Sequence, residues 1–379
     1  MEKRTIIVNK QEKDVSLLGF GCMRFPMKDG EVDIPESKRM VKYALSKGVN
    51  YIDTAWPYHG GKSELVVQEI MKDYPRESYF LADKLPLWDC KTNEDVDRIF
   101  HKQLEKCGVE YFDFYLIHAV NKQRYDQTIE LKLLKQLEGY KNEGKIRNIG
   151  FSFHDDLETF KKWADLYDWD FCQIQLNYMD VEHQQGIEGY KILTEKGIPV
   201  IVMEPVKGGS IVKFNDEIEA KMKAYRPNDS IASWGFRWVG TLPNVRVILS
   251  GMSNMEQVED NIKTFSNFEP LNEEEQKIVE QVRKEVLNLS KVDCTSCNYC
   301  MPCPHGVDIP GNFRVFNTHS MYQNDGYVKW QYGSLKNNKK SADLCIECGE
   351  CLPKCPQYIE IPTELGNFVE YLKDNGLAE

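Results

Sequence analysis

The sequence predicts an α/β chain, a (β/α)8 TIM barrel followed by a small, mainly α-helical domain, on three observations. Eight apolar, strand-like runs occur before about Phe268, alternating with longer amphipathic stretches. Strands that alternate with helices imply parallel crossovers, and eight such units in roughly 250 residues suit a closed barrel. Eight of the 12 cysteines then crowd into two short runs near the C-terminus, a composition shift that marks a second domain. The expected division is a barrel over 1–268, a linker helix over 269–291 and the cysteine-rich domain over 292–379.

The chain opens with TIIVNKQEKDVS, which reads as a short hairpin ahead of the barrel, plugging its floor. The strand candidates follow as SLLGFG from Ser16, VNYID from Val49, YFLADK from Tyr79 and FDFYLIH from Phe112. They continue with IRNIGFS from Ile146, FCQIQLN from Phe171, IPVIVME from Ile198 and VRVILSG from Val245. Helical patterns between them include Pro35–Lys47, Ser63–Asp73, Asn93–Cys107 and Thr128–Glu143. The pairs Ser253/Glu256 and Asn272/Glu275 have the spacing of helix N-caps, and the second opens a charged helix to about Asn288. An open doubly wound sheet is the alternative architecture. It requires a glycine-rich turn after its first strand, where GFGCMR supplies only G-x-G.

Of the two cysteine runs, CIECGECLPKCP holds Cys345, Cys348, Cys351 and Cys355 in the spacing C-x2-C-x2-C-x3-C-P, that of bacterial iron–sulfur ligation. CTSCNYCMPCP holds Cys294, Cys297, Cys300 and Cys303, its last gap one residue shorter. Three cysteines two residues apart wrap one corner of a cubane, and the fourth of each run serves the other cluster. Two 4Fe–4S clusters are therefore expected, one on Cys294, Cys297, Cys300 and Cys355, the other on Cys345, Cys348, Cys351 and Cys303. Zinc ribbons use two separated CxxC pairs rather than two triplets. Disulfides suit secreted chains, and MEKRTIIVNK carries no apolar leader core. Residues 305–344 between the runs read as helical. Cys22, Cys90, Cys107 and Cys172 are scattered and read as small buried hydrophobes.

The net charge of −11 argues against nucleic acid or an anionic membrane as partner. No apolar run reaches spanning length, so a cytoplasmic protein is expected, and oxygen-labile clusters with reduced thiols suggest an anaerobic or microaerobic cell.

Barrel chemistry gathers at the C-terminal ends of the strands, where Asp53, Lys84 and His118 end the second, third and fourth strands and Tyr58 follows in a loop. A phenol titrates near 10; a neighbouring ammonium favours phenolate, a buried carboxylate holds the lysine, and an imidazole donates to an oxygen gaining charge. DTAWPYHGGKSE (Asp53–Glu64), Lys84 and the LIH ending at His118 resemble the signature of aldo-keto reductases, across about residues 1–268. The C-terminal part resembles the dicluster ferredoxin-like domain fused to one branch of that family.

The resemblance implies hydride transfer between NADP(H) or NAD(H) and a small carbonyl or alcohol, with Asp53, Tyr58, Lys84 and His118 catalytic. It further implies that Ser152 and Gln173 hold the nicotinamide carboxamide, while Phe153 stands where the family commonly has Asn. Met203 takes the place of a stacking ring. MEPVKGGS, with Pro205, Gly208 and Gly209, matches the loop over the pyrophosphate. SGMSNMEQVEDN matches the adenosine end, with Ser250, Gly251, Met252, Gln257, Asp260 and Asn261. None of Gly251, Met252 and Gln257 is cationic where the family binds a 2′-phosphate, so a preference for NADP(H) is not supported; Arg246 and Lys263 are the nearest cations in sequence. Substrate-pocket candidates are Cys22–Pro26, Trp56, Pro86–Trp88 and Ala119–Tyr125.

Nicotinamides carry electrons in pairs and clusters carry them singly. Three readings therefore stand: a carbonyl oxidoreductase with an electron-transfer module, an electron-transfer protein whose barrel binds a flavin or docks a one-electron carrier or flavoprotein, and a reductase with structural or sensing clusters. The sequence itself does not indicate a flavin.

Overall fold

A computed structural model describes residues 1–377. The chain divides into two compact units, one of residues 1–208 and 228–276, the other of residues 209–227 and 277–379. The first holds a closed barrel of eight parallel strands, Leu18–Gly21, Tyr51–Asp53, Phe80–Leu85, Phe112–Val120, Ile146–Phe153, Phe171–Gln175, Val200–Met203 and Val245–Ser250, each beside its neighbours in sequence and the last closing on the first. All eight strands fall within two or three residues of the apolar runs that announced them.

Side chains alternate between the two faces of a strand, and that alternation builds the interior. Tyr51, Ala82, Phe114, Leu116, Phe171, Ile201, Val247 and Leu249 point inward and pack together. The intervening residues, such as Ile52, Leu81, Tyr115, Ile149, Cys172 and Ile248, belong to the larger layer between strands and helices. A one-residue slip would exchange these two sets. The expected plug is present: Lys3–Val8 pairs antiparallel with Gln11–Ser16, and Ile6, Val8 and Val15 join the inner cluster. Asn9 and Lys10 turn the hairpin in the left-handed region, at φ 49° and 63°. The edge groups are satisfied by the barrel, since Asn148 Nδ2 donates to the Ile7 carbonyl at 2.6 Å and Arg4 Nη1 to that of Leu242 at 2.9 Å.

Helices form where caps and periodicity agree. Asn93–Cys107 has the predicted bounds because Thr92 and Asp95 make a reciprocal capping box and Gly108 ends the helix at φ 64°. Thr128–Glu143 is not one helix: Lys122–Glu130 and Leu133–Asn142 are separated by Lys132 at φ 48°. The cap of Met255–Ser266 is Asn254, one residue after the expected Ser253. Asn272 and Glu275 do form the expected reciprocal pair, at 2.9 and 3.0 Å, opening Glu273–Leu287.

The second unit is helical as predicted, with Ile309–Tyr322, Asp325–Asn337 and Ile361–Asp374. Phe313, Phe316, Val328, Tyr332, Leu365 and Phe368 make its core. His319 is buried there, bonded to the Tyr371 hydroxyl at 2.6 Å and the Asp325 carboxylate at 2.9 Å, which ties the three helices. No described helix is long and apolar enough to cross a membrane.

Phe114 meets Tyr51 and Phe171 at centroid distances of 5.1 Å each and Phe80 at 6.1 Å. Phe114→Ala should therefore destabilise the barrel by ~3–5 kcal/mol, with the cavity sealed under the mouth. Thermal unfolding followed by circular dichroism checks this, and a shift within error would show that the interior collapses around the gap.

Candidate active site and thiol-lined cavities

At the barrel mouth the inward alternation delivers Asp53, Lys84 and His118 above the apolar interior. Lys84 is fully buried. Its Nζ donates to Asp53 Oδ1 at 2.6 Å and to the Thr54 carbonyl at 2.7 Å. It also lies 5.0 Å from the centre of the Tyr58 ring. Tyr58 begins a short turn kept tight by His59 and Gly60, both at positive φ. Its ring stands edge-on to His118 at 6.1 Å, and the exposed Trp88 also packs against His118, at 5.1 Å. The four residues drawn from three strand ends and one loop thus converge on one point.

Burial disfavours the Lys84 ammonium, but Asp53 and Tyr58 beside it outweigh that and hold its pKa above the ordinary lysine value. Burial likewise raises Asp53, against the pull of Lys84. Burial dominates at Tyr58 too: its pKa is raised, and Lys84 only partly offsets the rise. The ammonium therefore does not bring the phenol below its usual range, contrary to the sequence expectation, because burial outweighs it and the Asp53 carboxylate opposes it. Burial, reinforced by Lys84, pushes His118 well below 6.5, so its ring is neutral at physiological pH. Its Nδ1 is buried without a partner.

Across the mouth, Ser152 and Gln173 sit at the same level on adjacent strands. Ser152 Oγ accepts from the Ala119 amide at 2.8 Å, which leaves its hydroxyl hydrogen to give. Gln173 Nε2 donates to Met203 Sδ at 3.4 Å, while its Oε1 is buried without a partner. An orphaned amide oxygen beside a free hydroxyl fits a carboxamide. Phe153 turns outward against Phe160, with centroids 4.9 Å apart, and is out of the mouth. Trp56 packs on the outer layer, with Lys106 4.4 Å from its ring.

Pro205 is buried and Gly208 exposed at φ 63° in the loop after the seventh strand; Gly209, at φ 94°, begins a stretch belonging to the other unit. After the eighth strand Gly251 is exposed, but Met252 turns into the outer core. Asn261 is buried, its Nδ2 donating to Ser250 Oγ at 2.9 Å. Asp260 accepts from the Ser230 hydroxyl at 2.6 Å, and Gln257 Oε1 accepts from the Ser253 amide at 2.8 Å. These six residues are neighbours, yet the side chains of Met252 and Asn261 are committed inward, which position in a motif does not reveal. Arg246 donates to the Pro243 carbonyl at 2.8 Å and Lys263 to that of Asn228 at 2.5 Å, so both are engaged elsewhere. The Thr54 carbonyl under Lys84 has no sequence signal, because any residue supplies one. Arg24, within a segment read as substrate loop, reaches the glycine loops instead.

In the second unit the cysteines line two cavities. One, of about 310 Å³, is lined by Cys294, Cys297, Cys300 and Cys355. The other, of about 400 Å³, is lined by Cys303, Cys345, Cys348 and Cys351, and by Cys300 as well. Cys300 thus borders both cavities, while Cys355 joins the first triplet's cavity and Cys303 the second's. Ser296, Asn298, Glu347 and Gly349 lie at positive φ inside the triplets, which curls the chain there. Among the described residues no group of three or more His, Cys, Asp or Glu converges on a single-ion site. Cys22, Cys90, Cys107 and Cys172 are all buried.

Residues 17–284 match the model of the aldo/keto reductase family, and residues 293–360 match that of the 4Fe-4S dicluster domain. A probable aldo-keto reductase 1 of Glycine max is 29% identical over 230 residues, spanning 56% of this chain and 63% of that protein, just under two thirds of the relative's length. The NADH-specific methylglyoxal reductase of Escherichia coli is 24% identical over 298 residues, 66% of this chain and 90% of that protein. The crystal structure of an aldo-keto reductase from Klebsiella pneumoniae in complex with NADPH superposes with a TM-score of 0.60 at 22% identity, covering 75% of this chain and 96% of that one.

Removing one partner of the buried pair isolates the other. Lys84→Met should cost ~3–5 kcal/mol because the Asp53 carboxylate is left uncompensated, and Lys84→Met/Asp53→Leu should recover much of it. In the single variant Asp53 has a folded pKa raised above its unfolded value. The deficit is therefore small near pH 4 and grows as the pH rises. Thermal midpoints of the three proteins across pH check this; a double variant no more stable than the single would refute it.

Proposed function

This chain belongs to the aldo/keto reductase family, and from that premise we propose that its barrel moves a hydride between a nicotinamide dinucleotide and a small carbonyl or alcohol, the 4Fe–4S domain serving as an electron-transfer module. The observation that carries the reading is the convergence of Tyr58, Lys84, Asp53 and His118 at one mouth, facing the unsatisfied Gln173 Oε1.

A bound dinucleotide supplies the hydride. Ser152 and Gln173 would hold its carboxamide, Met203 would pack on its ring, and Pro205, Gly208, Ser250, Gly251, Gln257 and Asp260 would border the remainder, with Met252 and Asn261 supporting from within. The Tyr58 hydroxyl gives its proton to the carbonyl oxygen as that oxygen gains charge. Lys84 beside the ring steadies the phenolate left behind, and Asp53 with the Thr54 carbonyl keeps the ammonium in place. Neutral His118 donates to the same oxygen from a ring nitrogen. Trp88 covers His118 from outside and limits water. Alcohol oxidation runs through the same groups in reverse.

The lack of a cation at Gly251, Met252 or Gln257 supports use of NAD(H) at least as readily as NADP(H). Cys294, Cys297, Cys300 and Cys355 would hold one cluster and Cys303, Cys345, Cys348 and Cys351 the other, each passing single electrons to a carrier or flavoprotein. The chain would work in the cytoplasm, where thiols stay reduced, without nucleic acid or membrane partners.

Tyr58→Phe should lower hydride transfer ~10²–10⁴-fold with the fold intact. Because burial holds the phenol above its usual value, carbonyl reduction by the wild type should persist to about pH 10 and fall only beyond it, with no break near 6.5 from His118. Stopped-flow nicotinamide absorbance across pH decides both points, and near-normal transfer in Tyr58→Phe would remove the phenol from the mechanism.

The cysteine partition predicts about eight iron atoms per anaerobically purified chain. Cys355→Ser should disturb the cluster of the other triplet, Cys294–Cys300, and leave dinucleotide binding unchanged. Iron and sulfide analysis with paramagnetic resonance reads this out. Stoichiometric zinc, or loss of the cluster on Cys345–Cys351 instead, would sink the assignment.

A further inference from the structure

Tyr58 stands on a loop with little packing of its own. His59, Gly60 and Gly61 follow it in successive left-handed conformations, at φ 52°, 63° and 83°. A Cβ on Gly60 would meet nothing within 4 Å, and one on Gly61 only the Trp56 carbonyl, at 3.6 Å. Such a stretch is held by its hydrogen bonds. His59 Nε2 lies 2.9 Å from the Cys22 carbonyl on one side. On the other, Lys106, in the last turn of the helix Asn93–Cys107, donates from Nζ to the Gly61 carbonyl at 2.6 Å. The same ammonium lies 4.4 Å from the centre of the Trp56 ring, so one cation grips the chain on both sides of the phenol.

Lys106 is itself held. Its side chain is only 11% exposed, and its ammonium pairs with the carboxylate of the fully buried Glu64. Either charge left alone there would be strongly destabilising, so Glu64 keeps the lysine turned toward the loop. Glu64 Oε1 also accepts from Gln103 Nε2 at 3.1 Å, and that amide donates to the Lys84 carbonyl at 3.0 Å. The Tyr115 hydroxyl donates to Gln103 Oε1 at 2.6 Å and fixes the direction of the amide. A continuous set of contacts therefore runs from the Gly61 carbonyl through Lys106, Glu64 and Gln103 to the backbone of Lys84. No mechanistic step above uses any of these three side chains.

We propose that Lys106, held by Glu64 and Gln103, is a positioning residue for the phenol. It fixes the Tyr58 loop relative to the strand that carries Lys84, so that the proton donor and the ammonium that steadies it keep their separation. The inference rests on the reading of Tyr58 as the proton donor. Misplacing a reacting group by about 1 Å costs ~10²-fold in rate, and a loop with so little packing drifts by that much once its tie is cut.

Single-turnover reduction of benzaldehyde and of cyclohexanone by NADH in the full chain tests this, with NADH binding measured separately. Lys106→Met alone isolates the Glu64 carboxylate and endangers folding. The informative variant is Lys106→Met/Glu64→Gln, which removes both charges and leaves an acceptor for Gln103. It should slow hydride transfer by about 10- to 100-fold and leave the NADH dissociation constant unchanged. Lys106→Arg, which keeps a cation for Glu64 and a donor for the Gly61 carbonyl, should hold most of the wild-type rate. In a Tyr58→Phe background the double change should slow the remaining transfer little further, because residues that act as a unit are not additive. Equal slowing in both backgrounds would overturn the proposal by showing a general loss of structure. An unchanged rate in Lys106→Met/Glu64→Gln, with Tyr58→Phe impaired, would overturn it while leaving the phenol as donor. Near-normal transfer in Tyr58→Phe would overturn the donor reading and the positioning role together, as would a wild type that reduces neither carbonyl.

Discussion

An ammonium group with no access to water has to be neutralised where it stands, and the barrel mouth is organised around that requirement at Lys84. Asp53 from the adjacent strand and the carbonyl of Thr54 take two of its three hydrogens. The registers of the second and third strands are thereby coupled to chemistry as well as to packing. Support continues behind the strand. Gln103 donates to the Lys84 carbonyl at 3.0 Å, and the Asp83 carboxylate, on the opposite face, accepts from the Lys84 amide at 2.8 Å. Asp83 is itself buried near Glu64. Burial first, and Glu64 second, drive its pKa well above the carboxylate range.

Much of this arrangement is legible in the sequence, because inward and outward positions along a strand follow from a period of two. Asp53, Lys84 and His118 share parity with Tyr51, Ala82 and Leu116, so the polar groups at the mouth and the apolar interior beneath them are read from one pattern. The cysteine partition is legible for a similar reason, since spacing alone limits which thiols reach a common centre. What the sequence conceals depends on balance. The direction of the Tyr58 shift turns on burial against one neighbouring charge. The break at Lys132 falls in a stretch of strong helix formers, where a left-handed residue leaves no compositional trace. Met252 and Asn261 sit in a motif that fixes their place along the chain and not the face to which their side chains turn.

The two units use different means to create a reactive surface. The barrel gains precision from regular strands, each inward residue being set by hydrogen-bonded neighbours on both sides. The helical unit places its thiols on irregular loops, and three tied helices beneath supply the rigidity. Left-handed residues inside the cysteine triplets bend the polypeptide around the thiols, and Lys354 and His305 also line the larger cavity.

The N-terminal hairpin has one more consequence. With Ile6, Val8 and Val15 packed against the inward residues of the strands, the apolar interior continues through the floor. A barrel interior is a packed core and not a pore, so the hairpin extends that core with twelve paired residues and leaves the opposite rim to the polar groups Asp53, Lys84 and His118.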